Sequence, residues 1–256
     1  MEPDGRPACR PSAPKGEASH SIRIEEVTLL RGSERIFVGL TLNLQEARIG
    51  LIGDNGAGKS SLFRLIIGLD KPQHGRVVMS GGALQNEGRG PASQYVGLMF
   101  QNPDDQIIFP TVAEELAFSL TARGTKRDEA RRQVSDFLVQ RGLQAWAGRA
   151  IGELSQGQRQ QVCLLALQIS EPATLLLDEP FASLDLLSQA RLAAQLETTP
   201  QQVILSTHLL KHVQGFERVL WLERGRVRAD GPGRDVCQAY AQHVRLQVRA
   251  ELTTHA

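Results

Sequence analysis

The stretch IGLIGDNGAGKSSLFRL, residues 49–65, decides how the rest of this chain is read. It places Gly53 five positions before Gly58-Lys59-Ser60, the pattern of a loop that cradles phosphate groups. The apolar run at 49–52 suits a buried strand. Residues 60–67, with Leu62, Leu65 and Ile66 at helical spacing, suit a helix that opens at the lysine. Glycines at 53, 56 and 58 let successive backbone N–H groups converge on an anion, and the helix N-terminus adds partial positive charge. In that arrangement Lys59 reaches the β- and γ-phosphates and the Ser60 hydroxyl ligates Mg²⁺. Gly53, Asp54, Asn55, Gly56, Ala57, Gly58, Lys59, Ser60 and Ser61 are the expected contacts to the nucleotide.

Composition agrees with a substantial core. The chain has 256 residues, 41% of them apolar, which suits one large domain or a core with one insertion. With 29 basic and 28 acidic residues the net charge is +1, so no basic bias points to nucleic acid or an anionic membrane as the main partner. Cys9, Cys163 and Cys237 are far apart and lack CxxC spacing, which argues against a disulfide framework or zinc site and for a reducing compartment. No run of eighteen or more apolar residues is present, so no membrane span is expected.

Outward from the loop, residues 1–20 carry spaced prolines among polar and small residues and predict a disordered leader. Ile22, Ile24, Val27 and Leu29 mark one strand, residues 37–44 a second, residues 76–79 a third. After a glycine-rich segment at 81–90, residues 95–100 read as a buried strand followed directly by Gln101. Residues 111–123 and 126–141 look helical and lie between core strands, as an inserted helical subdomain would. Ser155 is an N-cap candidate before a helix at 158–169. A wholly apolar strand at 174–177 ends in Asp178-Glu179, and another at 203–205 ends in Ser206-Thr207-His208, with a helix at 186–196 between them. Strands separated by helices and ending in polar residues imply a parallel sheet with its ligand at the carboxyl ends.

Taken in order, the phosphate loop, Gln101, Leu154-Ser155-Gln156-Gly157-Gln158, Asp178-Glu179, Ser183-Leu184-Asp185 and His208 resemble the ATP-binding-cassette ATPase family over residues 22–239. The resemblance implies an α/β fold: a P-loop NTPase core with a mainly parallel sheet, an N-terminal antiparallel β-subdomain and a helical insert at about residues 103–170. The ATPase domain would run over 21–243, leaving 244–256 as a tail. ATP and Mg²⁺ are the implied cofactors. Asp178 would hold Mg²⁺ through water with Ser60 and Gln101, Glu179 would orient or deprotonate the attacking water, and His208 would donate to the γ-phosphate. Ser155 and Gly157 would cover the γ-phosphate held by a second ATPase subunit, of the same or a related chain. Ser183, Leu184 and Asp185 would lie at that interface.

Departures from the family pattern are local. No aromatic residue occurs between Leu29 and Ile36 to stack on adenine, which leaves the Arg31 guanidinium for that contact. Gln156 stands where glycine is commoner. The segments at 101–106 and 111–118 are similar to the ATPases of energy-coupling-factor importers of vitamins and metals, and 48–55 with 30–32 to those of the biotin importers among them. That similarity implies a subunit peripheral to the cytoplasmic face of the cell membrane, working with a transmembrane coupling protein and a substrate-binding membrane protein. Asp104, Asp105, Glu114 and Glu115 would form an acidic groove for basic coupling helices. A soluble cassette ATPase acting on nucleic acid or ribosomes would show two cassettes, a coiled coil or a basic insert, and none is present.

Overall fold

The computed structural model describes residues 21–79, 82–83 and 95–254. The expected leader, Cys9 and nearly all of the glycine-rich segment lie outside the described residues. Two sheets form the frame. One is a four-stranded antiparallel sheet in the order β2 (Glu34–Leu44), β1 (Ile22–Arg31), β4 (His74–Met79), β5 (Gly82–Ala83). The other has six strands in the order β10 (Arg226–Gly231), β9 (Arg218–Glu223), β3 (Arg48–Ile52), β8 (Gln202–Ser206), β7 (Thr174–Asp178), β6 (Val96–Met99). All neighbours in it run parallel except β10, which returns antiparallel along β9.

Alternation along the parallel strands divides the interior in two. Leu51, Leu176, Ile204 and Leu220 share one core with β1, β2 and Leu62, Phe63, Leu65 and Ile66 of α1 (Lys59–Ile66). Leu175, Leu177, Val203, Leu205 and Val219 face the other way, against α4 (Gln156–Ile169), α5 (Leu186–Thr198) and α6 (Gly233–Thr254). Cys163 and Cys237 are free thiols in this second core. Burial pushes the Cys163 thiol up to about 12, so it is inert as a nucleophile at neutral pH.

The helical insert has its own core, in which Val112, Leu116 and Leu120 of α2 (Val112–Thr121) meet Ala130, Val134 and Leu138 of α3 (Arg127–Gln140). Helix α4 closes it with Val162, Leu165 and Ala166, while its Cys163, Leu164 and Leu167 belong to the core beneath the parallel sheet. One helix is therefore shared by both bodies, which explains its apolar residues on two faces.

The C-terminal third carries elements that periodicity alone leaves unassigned. The β9–β10 hairpin extends the sheet beyond β3, and α6 packs Val236, Cys237 and Tyr240 on its second face. The expected boundary at 243 falls inside α6, because Val244 continues the same packed stripe. From 245 to 250 its side chains are exposed.

Candidate functional site

Strand β3 delivers the chain into the phosphate loop at its carboxyl end. The turn closes through the Ala57 N–H, which donates to the Asp54 carbonyl at 3.1 Å. Gly53, at φ 144°, has no room for a side chain, since a Cβ there would meet the Leu222 carbonyl oxygen at 2.1 Å. Gly58, at φ 106°, is the N-cap of α1, and no side chain caps that helix. The N–H groups of its first turn thus remain available to an anion. Lys59 is only 7% exposed. Its ammonium donates to the carbonyls of Gly53 at 2.6 Å and Asp54 at 3.1 Å. Burial lowers its pKa, and the carboxylates of Glu179, Asp178 and Asp54 oppose that shift. Ser60 is exposed beside it, whereas Ser61 is buried.

Strands β7 and β8, adjacent to one another, bring the remaining chemistry alongside. Asp178 is the last residue of β7, and Glu179 follows with φ 49°, a left-handed conformation that costs energy for a non-glycine residue. The Glu179 N–H donates to the Ser206 carbonyl at 3.0 Å, which pins that turn to the end of β8. Glu179 Oε2 accepts the His208 N–H at 3.3 Å. His208 Nε2 approaches Oε1 to 3.2 Å without hydrogen-bond alignment, so Oε1 has no hydrogen-bond partner among the described residues. Burial raises the Glu179 carboxyl pKa, His208 and Lys59 pull it down, and Asp178 adds to the rise. The result is a carboxylate more basic than ordinary, as a water-activating group requires.

These residues suit Mg²⁺ delivered with a nucleotide. Among the described residues no cluster of three or more His, Cys, Asp or Glu could hold a metal unaided. A nucleotide-borne Mg²⁺ needs only a hydroxyl and one or two carboxylates, because phosphates and water complete its shell. Ser60 and Asp178 offer that set. Gln101 is exposed in the bend that follows β6.

Ser155 is the N-cap of α4 in a reciprocal capping box: its Oγ accepts the Gln158 N–H at 3.3 Å and its N–H donates to Gln158 Oε1 at 3.1 Å. The helix therefore starts at Gln156, two residues before the sequence reading placed it. Its N-terminus is tied to the turn after Glu179 by Gln160, whose buried Nε2 donates to the Pro180 carbonyl at 2.6 Å. Asp185 caps α5 in turn, accepting the Ser188 N–H at 2.7 Å.

Arg31 lies against α1, with Nη2 3.0 Å from Asp70 Oδ2 and 3.4 Å from Ser61 Oγ. The expected adenine contact is thus a tethered guanidinium beside the loop.

One member of the expected acidic groove, Glu115, requires correction, while Asp104, Asp105 and Glu114 are exposed. Glu115 is 4% exposed, and its Oε2 accepts the N–H groups of Ile108 at 3.0 Å and Phe109 at 2.9 Å. It lies on the same stripe of α2 as Val112 and Leu116, so it organises the loop before the helix instead of facing a partner. Asp104 pairs with Arg159 at 3.1 Å. What the surface does show is Ile108, 70% exposed, and Phe118, whose ring lies 5.1 Å from that of Phe109.

Several supports of the site escape the sequence reading. Gly225 of the β9–β10 turn donates its N–H to the Ala57 carbonyl at 3.0 Å, and Tyr240 of α6 bonds Asp54 at 2.7 Å. Gln160 carries a local signal: a polar residue on the buried face of an otherwise apolar helix.

The ABC transporter family model matches residues 38–182. The biotin transport ATP-binding protein BioM of Rhodobacter capsulatus is 46% identical over 230 residues, 90% of this chain and 98% of that protein. BioM of Rhizobium etli is 37% identical over 222 residues, 87% of this chain and 98% of that protein. Among solved structures, CbiO1 of Clostridium perfringens, part of the ABC transporter complex cbiONQ, superposes with a TM-score of 0.73 at 24% identity, covering 91% of this chain and 97% of that one. The ATP-binding cassette MJ0796, a dimer in a post-hydrolysis state with ADP and Pi, gives a TM-score of 0.71 at 23% identity over 82% and 98%. The structures show the fold and the near full-length relatives show the lineage: this chain belongs to the ATP-binding, ATP-hydrolysing subunits of the ABC transporter family.

Proposed function

We propose that this chain powers a biotin importer of the energy-coupling-factor type, as one of a pair of cassettes beneath a transmembrane coupling protein and a substrate-binding membrane protein. The observation that carries the reading is the near full-length similarity to two biotin transport ATP-binding proteins from different organisms. No helix among the described residues is long and apolar enough to cross a membrane. In this reading attachment runs through those partners at the cytoplasmic face.

In this reading the loop amides of residues 53–60 and Lys59 hold the β- and γ-phosphates. Lys59 exchanges its two carbonyl partners for phosphate oxygens. Ser60, Asp178 and Gln101 would hold Mg²⁺, which screens the triphosphate charge. Glu179 takes the proton of the attacking water, and His208 donates to the γ-phosphate while fixing the carboxylate through its backbone N–H. Ser155 and Gly157 act on the nucleotide of the facing cassette: none of the hydrogen bonds among the described residues joins them to the chain's own phosphate loop. In this reading docking of the membrane partner rests on the exposed Ile108 and Phe118, with Asp105 and Glu114 exposed in the same stretch of chain.

The test is uptake. Co-expressed with its membrane partners in cells unable to take up or make biotin, the chain should confer ATP-dependent uptake of labelled biotin that Lys59→Ala abolishes. Labelled metal ion accumulating in place of biotin would overturn the cargo.

A further inference from the structure

Tyr240 has no part in the catalytic scheme, yet it touches the phosphate loop. Its hydroxyl donates to Asp54 Oδ1 at 2.7 Å, across 186 positions of sequence. Asp54 is the only acidic residue in the segment 53–60. Its two polar ends have different partners. The main-chain carbonyl accepts from Lys59 Nζ at 3.1 Å and from the Ala57 N–H at 3.1 Å, inside the loop. The carboxylate is held by α6.

The donor is well fixed. Tyr240 is 9% exposed, and its ring meets Trp221 edge-on at 5.3 Å between centroids. Trp221 precedes Leu222 on β9, whose carbonyl abuts Gly53. Burial, and then the bond to Asp54, raise the phenol pKa, so it remains a donor across neutral pH. A carboxylate in a loop that must cradle a triphosphate repels the ligand if it turns inward, and the repulsion grows as water is excluded.

We propose that Tyr240 is a positioning residue that holds the Asp54 carboxylate away from the bound phosphates, so that α6 sets nucleotide affinity through the one acidic side chain of the loop. This rests on the nucleotide-site reading above. It also gives the packed half of α6 a task beyond covering the sheet.

A double-mutant cycle on the full chain tests it, with titration of a non-hydrolysable ATP analogue plus Mg²⁺ and thermal unfolding of each protein. Tyr240→Phe keeps the ring against Trp221 and removes only the donor. It should raise Kd about 5- to 30-fold, the range for losing a hydrogen bond to a charged group that then faces like charge. The loss should narrow as salt rises. On an Asp54→Asn background the same substitution should change Kd less than about twofold, because no carboxylate is left to hold. An unchanged Kd for Tyr240→Phe would overturn the proposal. So would an equal loss on both backgrounds, which would assign Tyr240 to packing alone. Lys59→Ala separates the two levels: if it binds the analogue as tightly as wild type, the nucleotide-site reading itself falls.

Discussion

Glu179→Gln replaces one carboxylate oxygen with an amide nitrogen at a position only 7% exposed, so the structure constrains two consequences of opposite sign. The first is catalytic. Loss of a positioned base should lower hydrolysis about a hundred- to ten-thousandfold. That corresponds to roughly 3–5 kcal/mol of barrier. The second concerns stability. Burial raises the folded carboxyl pKa, so the stabilising contribution of Glu179 is complete below its unfolded value and is lost as pH rises through the folded one. Where Glu179 is ionised, the nucleotide-free protein holds a costly buried charge, whose Oε1 lacks a hydrogen-bond partner among the described residues. An orphaned buried polar atom costs about 1–3 kcal/mol. The amide keeps an acceptor for the His208 N–H and removes the charge, so recovery of about 1 kcal/mol is expected, or about 2–4 °C in Tm for a chain of this size. That gain should shrink as pH falls into the carboxyl range, where wild type is itself neutral. Phosphate release and calorimetry over pH measure both effects. With ATP and Mg²⁺ the variant should also run as a persistent dimer on size-exclusion chromatography, and mostly as monomer with ADP. Wild-type turnover would refute the base assignment. A Tm gain independent of pH would refute the electrostatic account.

His208→Ala should leave ATP affinity nearly intact and lower turnover at least tenfold, because its donor acts on charge that develops in the transition state; lost affinity with normal turnover would count against it. Arg218→Ala removes a guanidinium that spans Asp230 at 2.7 Å and Glu46 at 3.2 Å and joins β9, β10 and the β2–β3 turn. It should cost about 3 kcal/mol in urea unfolding, while Arg218→Lys should recover only part, since one ammonium cannot form the two-pronged contact to Asp230. Ile108→Asp should lower recovery of the membrane partner about tenfold or more without changing nucleotide affinity, and normal recovery would remove the apolar docking surface.

The sequence made the phosphate loop legible because its chemistry is local: glycine φ values, a helix N-terminus and one lysine all fall within eight consecutive residues. The strands ending in Asp178 and Ser206 were legible for a related reason, since uninterrupted apolar runs admit few alternatives to a buried parallel sheet. Ser155 as a helix cap followed from its residue type and position. The floor of the site was not legible. Leu222 contributes a backbone oxygen, Gly225 an N–H and Tyr240 a hydroxyl, and each meets the loop across more than 150 residues of chain. Backbone groups leave no mark in the identity of a residue. Glu115 is a different case: its place three residues after Val112 and one before Leu116 put it on the buried stripe, but its charge suggested solvent.

The proposed site concentrates what a stable fold ordinarily avoids. A lysine is buried, a carboxylate is raised and partly unpartnered, and that same glutamate occupies a left-handed backbone conformation. Each feature would be a defect in a purely structural loop. Together they are complementary to one kind of ligand. A triphosphate supplies anionic oxygens for the Lys59 ammonium and for the uncapped N–H groups of α1, which water and two carbonyls serve less well. Mg²⁺ arriving with it would offset the Glu179 charge that burial disfavours. On the proposed assignment, binding would relieve local costs that the folded chain carries beforehand. The shared helix α4 joins the two bodies physically at this point. Its buried Gln160 holds the carbonyl of Pro180, one residue beyond Glu179, while its far face closes the core of α2 and α3.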